Sequence, residues 1–153
     1  MNTNDPAVSV VVPVRNEAGN IAPLVAEIAA ALDGQWRVEV VYVNDGSSDG
    51  TEAELKRLMG LHPWLRRVRH KQSCGQSCAV RSGVAAARAA LVVTLDGDGQ
   101  NDPAFIPAMV RALEAGGGQT GSGQVGLIAG QRVGRKATGF KKLQSRIANA
   151  VRG

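Results

Sequence analysis

In "TLDGDGQNDP", residues 94–103, three carboxylates stand within seven positions: Asp96, Asp98 and Asp102. The Asp-x-Asp pair follows directly on the apolar run "ALVVTL", which has the composition of a buried strand. Two carboxylates at a strand end suit a divalent cation that keeps most of its shell for waters and phosphate oxygens, as Mg2+ and Mn2+ do. A cation held there would neutralise a diphosphate and act as Lewis acid on a departing nucleoside diphosphate. Asp and Gly are also ordinary turn residues. Asp102-Pro103 reads as a helix N-cap followed by proline at the first helical position, which explains Asp102 and leaves Asp96 and Asp98 open.

Other motif readings fail on context. "GSGQVG" (121–126) fits the dinucleotide pattern G-x-G-x-x-G but precedes a strand instead of joining the first strand to its helix. "DGDGQN" begins like a calcium loop, yet Asn101 stands where the invariant glycine belongs and Pro107 where the bidentate Glu belongs. The sequence contains neither a Walker lysine loop nor a G-x-S-x-G elbow. Cys74 and Cys78, four apart in "SCGQSC", are too few for a disulfide framework or a four-ligand zinc site and read as reduced small residues near a helix start. His62 and His70 have no metal-ligand spacing to each other and read as solvated or half-buried histidines.

The acids must be positioned by elements, and the apolar pattern shows which. "VSVVVPV" (8–14) is a continuous apolar run of strand length, followed by the helical stripe Ile21, Leu24, Val25, Ile28, Ala29 and Leu32, with Asn20 placed to cap it. "VEVVYV" (38–43) is the next strand, and Thr51 to Glu54 reads as a capping box before Leu55, Leu58 and Met59. An edge strand "WLRRVR", an Ala-rich helix from Gly75 to Ala90, the strand "LVVTL" (91–95), a helix from Pro103 to Ala115 and the strand "VGLIAG" (125–130) follow. Near-continuous apolar strands alternating with amphipathic helices indicate a doubly wound α/β domain, a mostly parallel sheet with helices on both faces. At 153 residues and 44% hydrophobic content the chain suits one domain with a real core.

In such sheets ligands bind in the crevice outside the carboxyl ends of the strands. The strand ends carry "RNE" (15–17), "NDGSSDGT" (44–51), "DGDGQ" (96–100) and "QR" (131–132). The usual order 3-2-1-4 brings Glu17, Asp45, Asp96 and Asp98 together, and four converging carboxylates repel unless a cation or donor groups offset them. Of the 18 basic residues, seven lie between positions 131 and 153 with no acid among them, leaving eleven against thirteen acids in the rest. The basic tail is either a solvated face or the seat of an anionic partner such as a phosphate or lipid surface. With 3% aromatic residues there is no stacking platform, so nucleic acid is not an expected partner.

Taken in order, "VSVVVPVRNEAGNI", "VEVVYVNDGSSDGT", "GQSCAVRSGVAAA", "LVVTLDGDGQNDP" and "GLIAGQR" resemble the family 2 glycosyltransferases of GT-A fold, above all the dolichol-phosphate mannosyltransferase branch and its bacterial polyprenyl-phosphate relatives. The resemblance covers about residues 8–150. It implies a Rossmann-like GT-A domain that moves mannose or a similar hexose from a GDP- or UDP-linked sugar to a polyprenyl or dolichyl phosphate, with Mg2+ or Mn2+ as cofactor. It implies that Pro13, Arg15 and Glu17 line the nucleotide pocket, that Asp45 contacts base or ribose, and that Asp96 and Asp98, joined by Gln100, hold the metal. Arg132 in "GQR" corresponds to the arginine on the donor diphosphate and would share the catalytic work with Asp98, and Arg81 corresponds to a basic position near the same pocket. Lys141, Lys142, Ser145 and Arg146 are the implied acceptor-phosphate residues. Arginine's bidentate fork suits phosphate, and Gly97 and Gly99 would let the backbone come close to a ligand.

Family members that glycosylate a sugar hydroxyl use a later Asp as general base, whereas a polyprenyl phosphate is largely dianionic at neutral pH and already nucleophilic. Single in-line attack at the anomeric carbon inverts configuration. The alternatives are a family 2 enzyme with a sugar-hydroxyl or polysaccharide acceptor, and a non-catalytic nucleotide-sugar-binding module. The chain stops at Gly153 in what should be a helix, so the expectation is the N-terminal, donor-binding part of one GT-A catalytic domain, truncated at its C-terminus. Its apolar runs are too short to span a bilayer and it has no secretory leader pattern, and the tail adds Phe140, Leu143, Ile147 and Val151 at three- to four-residue spacing. The expected location is cytoplasmic, peripheral to an anionic membrane surface.

Overall fold

Valine-rich segments with apolar residues on both faces form strands that must be covered on both sides, and the chain provides a helix after each. The structure, a computed structural model, describes residues 5–116. The elements run β1 (Val8–Val14), α1 (Ala18–Leu32), β2 (Val38–Asp45), α2 (Thr51–Leu61), β3 (Leu65–His70), α3 (Gln76–Ala86), β4 (Leu91–Thr94), a 3-10 turn (Pro103–Phe105) and α4 (Ile106–Gly116). The sheet order is β3-β2-β1-β4 and every pairing is parallel, the arrangement expected from the alternating pattern. The expected strand at 125–130 lies outside the described residues.

Side chains alternate across the sheet with period two. Val8, Val10, Val12, Val40 and Tyr42 enter the larger core with Ile21, Leu24, Val25 and Ile28 of α1, Leu55 of α2 and Ile106 and Val110 at the start of α4. Val11, Val41 and Val43 point the other way, onto Ala79 of α3. α3 lies so close to the sheet that a Cβ at Gly83 would stand 2.3 Å from Val11 Cγ1. Helices therefore cover both faces, with α3 alone on one face among the described residues.

Two cap assignments need correction. Asn20 lies inside α1 and donates to Glu17 Oε2 at 2.6 Å, and Thr51 begins α2 without closing a capping box, since Glu54 pairs with Arg57 at 2.7 Å. The caps come from across the chain instead. Thr51 Oγ1 accepts from Glu17 N at 3.0 Å, Asp49 Oδ2 accepts from Ala18 N at 3.3 Å, and Asp49 Oδ1 accepts from Thr51 N at 3.0 Å. Asn16, at φ +57°, adds its Oδ1 to Ser48 N at 2.9 Å, so the β1-α1 and β2-α2 loops lock together. Asp102 does cap the turn that starts at Pro103, accepting from Ala104 N at 2.9 Å.

α3 ends at Ala86, four residues short of expectation, because a polar cluster claims the chain after it. Glu39, buried in β2, accepts from Ser9 Oγ at 2.6 Å and pairs with Arg66 at 2.6 Å. Glu39 also accepts from Arg88 N, Ser9 Oγ accepts from Ala89 N, and Arg66 donates to Ala86 O at 3.0 Å. Burial pushes the Glu39 carboxyl up, but the donors from Ser9, Arg88 and Arg66 together hold it below its ordinary value.

Candidate functional site

β1 ends at Val14, β2 at Asp45 and β4 at Thr94, so the loops that follow them meet at one edge of the sheet. There they enclose a cleft of about 350 Å³. Pro13, Arg15, Glu17, Asp45, Asp96 and Asp98 all line it, so the structure brings together six of the residues singled out from the sequence.

Asp45 is the most constrained of them. Its carboxylate is buried, with Oδ1 accepting from His70 Nδ1 at 2.7 Å and Cys74 N at 2.9 Å, and Oδ2 from Ser73 Oγ at 2.7 Å and Gly75 N at 3.0 Å. Four donors use the full ordinary acceptor capacity of a carboxylate. Burial pushes its pKa up, but the hydrogen bonds outweigh burial and hold the group far below the usual carboxylate range. Gly46, at φ +65°, makes the next turn possible: a Cβ there would lie 2.5 Å from Ser73 N, so the two loops touch backbone to backbone.

Asp96 is half-buried and accepts from Gln76 Nε2 at 2.9 Å and from Asn101 Nδ2 at 3.1 Å. Asp98 is exposed at the cleft, and its Oδ1 accepts from Gln100 N at 3.0 Å. The loop between them is held against β1, since a Cβ on Gly97 would fall 2.3 Å from Val14 Cγ1 and 2.9 Å from Pro13 O. Gly97 is therefore required for packing on the chain's own strand, while Gly99 meets nothing within 4 Å and serves a positive φ of 71°. Gly97 also lines the cleft, and Gly99 does not.

Two further placements differ from expectation. Arg81 is exposed on α3 and does not line the cleft, and Gln100 contacts Asp98 through its backbone without its side chain lining the cleft. Arg132, Lys141, Lys142, Ser145 and Arg146 lie outside the described residues. Sequence reasoning missed Ser73, Gly75 and Gln76, which also line the cleft. The signal was the "SCGQ" stretch itself, where a glycine at φ +90° opens a helix beside the cleft.

Two sets of potential metal ligands are present among the described residues. Asp96 and Asp98 offer only oxygen at the cleft, the donor type hard divalent ions take. Asp45, His70 and Cys74 bring oxygen, nitrogen and sulfur within 4.8 Å, a mixed set suited to softer ions. The second set does not fit a metal. Asp45 already holds four donors, and burial pushes the Cys74 thiol up, against the thiolate a metal requires. Both cysteines are free and exposed, at the start of α3. No helix among the described residues is long and apolar enough to cross a membrane.

Comparison with known proteins agrees with this geometry. The dodecaprenyl-phosphate galacturonate synthase of Rhizobium johnstonii is 38% identical over 99% of this chain, and the undecaprenyl-phosphate 4-deoxy-4-formamido-L-arabinose transferase of Aeromonas hydrophila is 33% identical over 97%. The chain spans 45% and 44% of those two proteins, less than half of each. Among solved structures, the mannosyltransferase PcManGT of Pyrobaculum calidifontis, in complex with GDP-Man and Mn2+, superposes with a TM-score of 0.55 at 32% identity, over 63% of this chain and 28% of that one. Glucosyl-3-phosphoglycerate synthase of Mycobacterium tuberculosis, with Mn2+, UDP and glucosyl-3-phosphoglycerate, does so at 0.57 and 28% identity, over 71% and 39%. The fold is GT-A. Since the profile of glycosyl transferase family 2 matches residues 9–147, nearly the whole chain, the chain belongs to that family.

Proposed function

We propose that this chain is the donor-binding part of an inverting glycosyltransferase that moves a sugar from a GDP- or UDP-linked donor to a polyprenyl or dolichyl phosphate. The observation that carries the reading is the convergence of Asp45, Asp96 and Asp98 with Arg15 and Glu17 around one cleft at the carboxyl ends of three parallel strands. Relatives named for dodecaprenyl and undecaprenyl phosphate support the acceptor class. Mannose remains one candidate sugar beside the galacturonate and formamido-arabinose of those relatives, supported by the neighbour that holds GDP-Man.

Asp96 and Asp98 are the residues that would hold Mg2+ or Mn2+, a choice supported by their oxygen-only donor set and by the Mn2+ of the nucleotide-bound neighbours. When bound, the ion supplies Lewis-acid stabilisation of the diphosphate leaving group. The chain's own residues do the positioning. Gln100 N fixes the rotamer of Asp98, Gln76 and Asn101 fix Asp96, and Asp45 borders the base or ribose side of the cleft, where its ionised carboxylate holds Ser73, Cys74 and Gly75 in place. Arg15 faces the nucleotide, and Arg132 with Lys141, Lys142, Ser145 and Arg146 would lower the repulsion between donor and acceptor phosphates. A dianionic acceptor phosphate needs no general base, and in-line attack at the anomeric carbon inverts configuration. The glucosyl-3-phosphoglycerate of one neighbour supports a second reading with a hydroxyl acceptor, which would require a base.

Calorimetry of the full chain with GDP and UDP tests the reading. Binding is expected to strengthen with Mn2+ or Mg2+, and Asp98→Ala is expected to remove that enhancement. Equal affinity in EDTA would reject the metal assignment, and no binding of either nucleotide would reject the donor-site reading. GDP-mannose and a panel of UDP-sugars then distinguish the donors.

A further inference from the structure

We propose that His70 is a positioning residue for the nucleotide cleft: it holds the Asp45 carboxylate from behind through Nδ1, while Ser82 of α3 fixes the ring through Nε2. The inference rests on the donor-site reading above and adds a residue that does not itself line the cleft. Asp45 and His70 end β2 and β3 and are register partners in the parallel ladder, so their side chains stand on the same face of the sheet. That face is the one α3 covers through Val43, Val68 and Ala79. The imidazole is thus enclosed by β2, β3 and α3, with its side chain 14% exposed and that of Asp45 6%.

Both ring nitrogens are engaged, Nδ1 with Asp45 Oδ1 at 2.7 Å and Nε2 with Ser82 Oγ at 2.9 Å. An ionised carboxylate can only accept, so Nδ1 carries the hydrogen and donates it. Ser82 Oγ, able to donate or accept, satisfies Nε2 in either protonation state of the ring. The order Asp-His-Ser is that of a hydrolase triad, but Ser82 is half-buried on α3 and is not among the residues that line the cleft. What the chain of bonds does is orient. The remaining donors to Asp45 come from Ser73, Cys74 and Gly75, and Ser73 and Gly75 are themselves cleft wall, so the carboxylate fixes both its own position and the shape of the wall. His70 is the side-chain donor that reaches Asp45 from the neighbouring strand, and without it one oxygen loses its short bond and the rotamer loosens.

Equilibrium binding of GDP and UDP with Mn2+ to the full chain provides the test, with unfolding midpoints measured in parallel. His70→Leu should weaken binding on the order of tenfold, the scale of a lost hydrogen bond to a charged group. His70→Asn, whose amide nitrogen can take the place of Nδ1, should restore most of that affinity. In an Asp45→Ala background His70→Leu should have no further effect, because the route through Asp45 is already gone. Equal losses in both backgrounds, or no rescue by Asn, would overturn the proposal. If the Leu variant fails to fold, the wild-type chain still decides. The Nδ1–H resonance of His70, assigned against the one other histidine, His62, should shift on nucleotide saturation, and an unmoved resonance in a saturated sample would overturn it. Nucleotide binding that is indifferent to His70 removes this inference alone, whereas absence of wild-type binding removes the donor-site reading and this inference with it.

Discussion

At the scale of single residues, Asp45 illustrates how much of a site a sequence can show. A carboxylate at the end of a buried strand, followed by glycine and serines, marks a cleft residue from type and position alone. Its four donors come from residues 70, 73, 74 and 75, which are separated from it by a helix and a strand. No local pattern encodes that meeting. Asp45→Ala is expected to weaken nucleotide binding by about 1–3 kcal/mol, the range for losing the charged acceptor that holds Ser73, Cys74 and Gly75 in the cleft wall, while leaving the metal enhancement intact. Calorimetry with and without Mn2+ checks both halves, and loss of the metal dependence would move Asp45 into the cation site.

At the scale of elements, strand and helix identities were legible because apolar runs and 3.6-residue stripes are local. Boundaries and caps were not. α1 takes its first hydrogen-bond acceptors from Asp49 and Thr51 in another loop, and α3 stops where Glu39, Ser9 and Arg66 capture residues 86–89. Glu39→Gln should destabilise the protein by about 1–2 kcal/mol in urea unfolding, since it removes the charge that pairs with the part-exposed Arg66, which keeps its bond to Ala86 O. The pH dependence has a definite sign. The folded-state pKa of Glu39 lies below the ordinary value of 4.5, so its contribution is complete above that value and is lost as pH falls through the folded one. The stability gap between wild type and Glu39→Gln should therefore narrow as the pH is lowered from the ordinary value of 4.5 through the folded-state one.

At the scale of the whole molecule, charge is distributed unevenly. Seven basic residues without an acid occupy positions 131–153, interspersed with Phe140, Leu143, Ile147 and Val151. We propose that this segment brings the protein to an anionic membrane surface, where a polyprenyl phosphate acceptor would reside. Each Lys or Arg near such a surface contributes up to about 1 kcal/mol, screened over a Debye length of roughly 10 Å at 0.1 M salt. Sedimentation with phosphatidylserine-containing vesicles should show binding that disappears at high salt and falls clearly for the double variant Lys141→Glu, Lys142→Glu. Failure to bind at any salt would leave the lipid phosphate itself as the segment's remaining partner.

The sequence by itself determined the class of fold, the parallel alternation of strands and helices, and the residue types at each strand end, because periodicity and strand-end chemistry are properties of short stretches. It also carried the family resemblance, through five motifs in one order. Only the tertiary structure decided which of those residues meet. It placed Asp96 and Asp98 against β1 through the close packing of Gly97, left Arg81 on the outer side of α3, and joined Asp45 to His70 and Ser82 across two strands and a helix. Those pairings depend on strand register and on the close approach of loops far apart in the chain, and neither is written in the neighbours of any one residue.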